Sequence, residues 1–234
     1  MDTKNSQEIV LKNLAEKSMI KQKVYDASVE TFNLLKEVLH ELSNDMNDLL
    51  PDGSDRRVRL EYRDRGKFEA ELKIAGDILI FSMHSNVFQF DRDHLLWKTS
   101  YAQKSPFNTY CGVISIYNFL ADSFKFNRTE DLGYMIGRIF VNNEKHFFVE
   151  GKRQMSFRYH NFGEKAISRE DLKNIIETAI LYTIDFDLLV PPYDVVKLAT
   201  VGQMNTKIEN AKLQTGKRLG FRFNSDDVLN QADS

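Results

Sequence analysis

The sequence predicts an α+β protein: a predominantly antiparallel sheet of about seven to nine strands, with a long N-terminal helix and two C-terminal helices. Three observations carry this. Apolar and charged residues alternate across 57–74 around a central glycine, the pattern of a hairpin with one wet face. Leu35, Leu39, Leu42, Met46 and Leu49 recur at spacings of four and three, which is helical. The element order reads helix, about four strands, short helix, about four strands, two helices, and the wet-faced meander argues against a doubly wound parallel sheet.

Residues 8–50 read as helix, ended by Pro51 and the turn-forming Asp52-Gly53-Ser54. Its seam, Leu35 to Leu49, spans about two heptads, too few for a coiled coil. The seam can pack on the chain's own sheet or pair with a second subunit, and these five residues form the candidate interface. In the first hairpin, pairing Arg63 with Lys67 across Gly66 puts Tyr62 opposite Phe68, Leu60 opposite Ala70 and Val58 opposite Leu72. The same register sets Arg59 against Glu71 on the wet face. Ile78 to Met83 is apolar on both parities and should be covered on both sides. Asp91 is positioned to cap a short helix holding Leu95, Leu96 and Trp97. Thr99 to Tyr110 has no periodicity and reads as a loop, the best place for a domain boundary.

Strands are expected again at Gly112 to Leu120 and Ser123 to Phe126. A second hairpin follows, Tyr134 to Val141 and His146 to Glu150, turning through Asn142 to Lys145. Gly133 and Gly137 fit a bulge or close approach better than a phosphate cradle, because no helix follows them. Ser156 to Tyr159 is a further strand candidate. Ser168 and Asp171 have capping-box spacing, and Leu172, Ile175, Ile176, Ala179, Ile180 and Thr183 share one helical face. Pro191 and Pro192 stop that helix, a thinner one is expected from Asp194 to about Gln214, and a terminal strand could occupy 218–224. The division is helical 8–50, strand-rich 56–160 and helical 168–215, expected as a single domain over 1–234.

Composition narrows the function classes. The 234 residues are 42% apolar and 28% charged, an ordinary globular balance, with a formal charge of −2 that gives nucleic acid no general attraction. Cys111 is the single cysteine, which excludes an internal disulfide and suits a buried small hydrophobe in a reducing compartment. Neither a secretory signal pattern nor a run of about 18 apolar residues is visible, so the expected location is cytoplasmic, with no membrane partner. Phosphate-loop, dinucleotide, zinc and nucleophile-elbow motifs are absent, so neither cofactor nor metal is expected.

Candidate chemistry gathers around the second hairpin. His146, Phe148 and Glu150 share a strand face, Arg138 comes from the partner strand, and Arg158 and His160 follow the Gly151 turn. A histidine and a glutamate within reach form an acid/base pair, and arginines hold carboxylate or phosphate. Asn118, a polar residue inside an apolar strand, would orient a ligand if its face lined a pocket. His40, His84 and His94 fit ordinary structural roles; His94 lies near Asp91 and Asp93 without metal-ligand spacing. Lys152, Arg153 and neighbouring cations interleave with Phe147, Phe157 and Tyr159, as a single-stranded nucleic-acid surface does. The rings, however, fall mostly on the parity opposite the charges.

The expected order of functions is therefore a non-enzymatic protein-interaction or assembly module, with self-association through the helix seam. Second comes a small-molecule or anion-binding pocket, or an enzyme, built on Arg138, His146, Glu150 and Arg158. Single-stranded nucleic-acid binding comes third.

Overall fold

The N-terminal helical pattern forms α1 (Thr3–Asn13), a π-helical turn (Leu14–Ser18) and α2 (Met19–Asp48) in one continuous run. The computed structural model describes residues 3–129, 131–151, 162–186, 200–202 and 205. Burial begins at Val24: Phe32, Leu35, Val38, Leu39 and Leu42 are buried along one side of α2. Residues 6–17 are exposed throughout. No described helix is long and apolar enough to cross a membrane.

Seven strands follow among the described residues: β1 (Leu60–Asp64), β2 (Glu69–Ile74), β3 (Asp77–Met83), β4 (Phe88–Gln89), β5 (Tyr110–Leu120), β6 (Tyr134–Val141) and β7 (Phe147–Gly151). All pairings are antiparallel, in the order β1-β2-β3-β5-β6-β7, and β4 pairs with the start of β5, beyond the end of β3. One C-terminal helix is described, α5 (Arg169–Ile184). Its predicted capping box is present, with the Ser168 hydroxyl accepting from the Asp171 amide and the Asp171 carboxylate accepting from the Ser168 amide.

Leu172, Ile175, Ile176, Ala179 and Ile180 of α5 join Leu35, Leu39 and Leu42 of α2 over Leu72, Leu79, Phe81, Ile114, Ile116, Ile139 and Val149 of the sheet. The helix seam is thus spent in the chain's own core, with Met46 packed against it and Leu49 84% exposed beyond it. Gly112 permits the close approach of α2 to β5, since a Cβ there would lie 2.0 Å from the Ser28 hydroxyl. The opposite face of β5–β7 carries a second, smaller core of Leu96, Ala102, Cys111, Val113, Phe140, Phe148 and Phe162. Its cover comes from the excursion between β3 and β5. This holds β4, a 3₁₀ turn (Leu95–Lys98), α3 (Ser100–Lys104) and a second 3₁₀ turn (Pro106–Thr109).

Several expectations need correction. The first hairpin pairs Tyr62 with Leu72 and Asp64 with Ala70, four residues away from the predicted register, and Val58 lies in a 3₁₀ turn before β1. The turn is longer because it is tied down: Lys36 of α2 donates to Asp64 (2.9 Å) and to the Gly66 carbonyl, while the Gly66 amide donates to Asp64 (2.8 Å). An even shift keeps every side chain on its predicted face. Glu71 consequently meets Arg63 and Arg65 rather than Arg59.

Thr99 to Tyr110 is not a loop: Thr99 and Ser105 side chains cap α3 and the following 3₁₀ turn, and Tyr110 already belongs to β5. The 3₁₀ turn at Leu95 is capped by His94 rather than Asp91. Ser123 to Phe126 is not a strand, because Ala121–Lys125 forms a helical turn, α4. The predicted bulge does occur beside Gly137, where the β5–β6 register slips between Ile116 and Tyr117, and a Cβ on Gly133 would strike the Phe119 ring. The strand expected at Ser156 to Tyr159, most of the helix after Asp194 and the strand expected at 218–224 lie outside the described residues.

The chain divides into two compact units. Met1–Ala121 with Leu132–Phe186 carries the sheet and its helices, and Asp122–Asp131 with Asp187–Ser234 forms the other. Within the latter, Ser123 donates to Asp131 (2.6 Å) and Arg128 stands 3.9 Å from the same carboxylate.

Candidate functional site

The second hairpin is fixed by its turn. Buried Asn142 accepts at Oδ1 from the amides of Glu144 (3.0 Å) and His146 (2.9 Å), and its Nδ2 donates to the Tyr101 hydroxyl at 2.8 Å. That hydroxyl also bonds Glu144, and burial together with the neighbouring carboxylate pushes the Tyr101 phenol above its ordinary range. One turn residue therefore joins the hairpin to the excursion.

Strand alternation then places Arg138 and Phe140 of β6 against Glu150 and Phe148 of β7 on the face that the excursion covers. Phe140 and Phe148 are stacked at 4.6 Å, and Phe90 and Phe162 close on Phe148 at 5.3 and 5.6 Å. Arg138 donates to Oε2 of Glu150. Oε1 faces Nε2 of His94 at 3.4 Å, and the His94 ring lies 4.5 Å from that of Phe90.

The tautomer of His94 follows from its cap. Nδ1 accepts from the Leu96 amide (3.2 Å), so in the neutral ring the proton resides on Nε2, directed at Glu150. Beside this triad is a cavity of about 340 Å³ lined by Leu95, Leu96, Phe148, Val149, Gly151 and Phe162, with His94, Thr99 and Glu150 as its polar side chains. The Thr99 hydroxyl is already engaged with the Leu96 carbonyl and the Ala102 amide. Glu150 keeps acceptor capacity beyond its two partners, since a carboxylate offers about four lone-pair sites. Among the described residues, the lining includes no serine, cysteine or lysine, and its polar side chains are those of His94, Thr99 and Glu150.

The hairpin brings Arg138 and Glu150 together. It does not bring His146 to Glu150: four residues along one strand separate them by about 13 Å, with Phe148 between. His146 instead faces Glu144 at 3.6 Å and meets the Tyr101 ring edge-on at 4.9 Å. Asn118 is buried in β5 opposite Leu79 and Tyr134, its Oδ1 without a hydrogen-bond partner among the described residues, and it does not line this cavity. Arg158 and His160, like Lys152 and Arg153, lie outside the described residues. Cys111 is fully buried, which raises its thiol well above the ordinary range and leaves it inert. No group of three or more His, Cys, Asp or Glu side chains among the described residues is arranged to hold a metal ion.

His94, Leu95, Leu96 and Phe162 are the site residues that the hairpin pattern could not supply. A partial signal existed, because Phe140 and Phe148 share parity with Arg138 and Glu150, an aromatic and charged mixture on one face that demands a cover. No protein-family model matches this sequence, and no curated protein or solved structure matches it significantly.

Proposed function

We propose that the chain is a binding protein for a small, mostly apolar molecule held between the excursion and the β6–β7 hairpin. The observation that carries this is an apolar cavity of about 340 Å³, within the size range of ligand pockets, with the paired carboxylate of Glu150 as its polar anchor. Arg138 balances that charge and His94 stands beside it, which favours a ligand that donates a hydrogen bond to the carboxylate over a free anion. The reading is tested by screening fragments by ligand-observed NMR against the wild type and Leu95→Trp. Leu95 lines the cavity yet is exposed, so a larger side chain narrows the space without disturbing the core. Binding unaffected by Leu95→Trp rejects the cavity as the site.

A protein-interaction role is the second reading, and a different observation favours it. Ile9, Val10, Leu11 and Leu14 are each more than half exposed on α1 and the π-turn, where apolar side chains gain nothing without a partner. Self-association through this segment predicts a mass in solution that rises with concentration and falls back in Leu11→Glu/Leu14→Glu. A single monomeric species across the micromolar range rejects it.

A further inference from the structure

The main chain along one side of the cavity points to the chemistry of its occupant. β7 is the last strand in the sheet order, so one of its edges has no neighbouring strand among the described residues. The Asn142 amide donates to the His146 carbonyl at the hairpin end. By antiparallel alternation, His146, Phe148 and Glu150 then direct their backbone groups to β6, while Phe147, Val149 and Gly151 direct theirs outward. The start of this outer edge is covered by the bridge from His146 to Ala166 and by the Ile167 amide donating to Lys145 (2.8 Å).

Beyond that bridge, the Val149 carbonyl and the Gly151 amide point the same way, and both residues line the cavity. Neither group has a hydrogen-bond partner among the described residues, although Val149 is only 1% exposed. Buried main-chain groups in native proteins are almost always paired, so the buried Val149 acceptor, with the half-buried Gly151 donor beside it, marks where a guest completes the bonding. Gly151 carries no side chain to hold a flat guest away from the strand.

We propose that the cavity takes a flat, neutral molecule whose edge carries a hydrogen-bond donor next to an acceptor, a cyclic amide or an equivalent heteroaromatic edge. The donor meets the Val149 carbonyl, the acceptor meets the Gly151 amide, and the rings of Phe148 and Phe162 together with Leu96 enclose the apolar body. This rests on the cavity being the binding site and adds the class of ligand.

Three probes of nearly equal size separate the two claims: 2-quinolone, which has the adjacent donor and acceptor, N-methyl-2-quinolone, which lacks the donor, and quinoline, which lacks the pair. Titrations of the full chain, followed through backbone amide resonances, should show 2-quinolone binding about tenfold tighter than the other two, with the Gly151 amide shifting downfield. Equal affinities for all three and a stationary Gly151 amide would overturn the edge recognition while leaving the cavity as a binding site. Failure of all three to bind, or binding that perturbs resonances far from the cavity, overturns both.

Discussion

The two faces of the β5–β7 end of the sheet are covered differently. On one, α2 and α5 lay aliphatic side chains over Ile114, Ile116, Ile139, Val141 and Val149. On the other, an excursion of short turns lays Phe90, Leu96 and Tyr101 over Cys111, Val113, Phe140 and Phe148, joined by Phe162 from beyond β7, with Arg138, Glu150 and His94 beside the rings. Regular helices fill the grooves of a sheet closely, whereas consecutive 3₁₀ and single-turn segments leave gaps and place polar caps near them. The same strands thus supply stability through one face and a candidate site through the other.

The contrast breaks first on the helix side. Leu39→Ala or Ile175→Ala should each cost about 2–5 kcal/mol in denaturant unfolding, because both side chains are fully buried between layers. A loss below about 1 kcal/mol at both positions would mean that the helices do not form the principal core. Gly112→Ala should cost about 1–3 kcal/mol through overpacking against Ser28. Ser28→Gly should restore part of the loss in the double mutant, and strict additivity would show that α2 does not approach β5 there.

Ser168→Ala should cost about 1 kcal/mol by removing the α5 cap. Its partner adds a pH dependence. Burial alone would raise the Asp171 carboxyl, but Lys165 and the Ser168 hydroxyl and amide together hold it below its ordinary value. A depressed carboxyl stabilises the fold above the unfolded value near 4 and loses that contribution as pH falls through the folded value. Asp171→Asn should therefore flatten the acid limb of the stability curve, and an unchanged limb would remove Asp171 from the account.

The smallest effect on stability belongs to the site. Glu150→Gln should change unfolding by less than about 1 kcal/mol, since the Arg138–Glu150 pair is partly exposed. It should nevertheless alter binding in the cavity. A large loss of stability with no change in binding would assign Glu150 to the framework and erase the distinction between the faces.

The elements that local periodicity encodes were legible in the sequence: the α2 seam, the apolar face of α5 with its capping box, and both hairpins. The first hairpin's register was not, because Lys36, 28 residues before Asp64, holds the turn that sets it. Half of the polar site was legible in the same way. Arg138 and Glu150 meet through adjacent strands, whereas His94 arrives from 56 residues away, on a segment whose short turns have no period to detect. His146 shares the parity of Glu150 but lies four positions distant, where the Asn142 turn commits it to Glu144 and Tyr101. Parity states which face a side chain occupies, not which neighbour it finds along the strand.

Trp97 is the chain's single tryptophan, and it sits in the excursion, its indole donating to the Phe90 carbonyl and stacked 4.0 Å from the Arg92 guanidinium. Emission excited selectively at the indole therefore observes one cover of the sheet and none of the α2–α5 layer. Circular dichroism, dominated by the long helix, observes the reverse. The molecule carries two optical observers, one for each face, and unfolding curves that coincide or separate will report whether the site and the helical core melt as one cooperative unit.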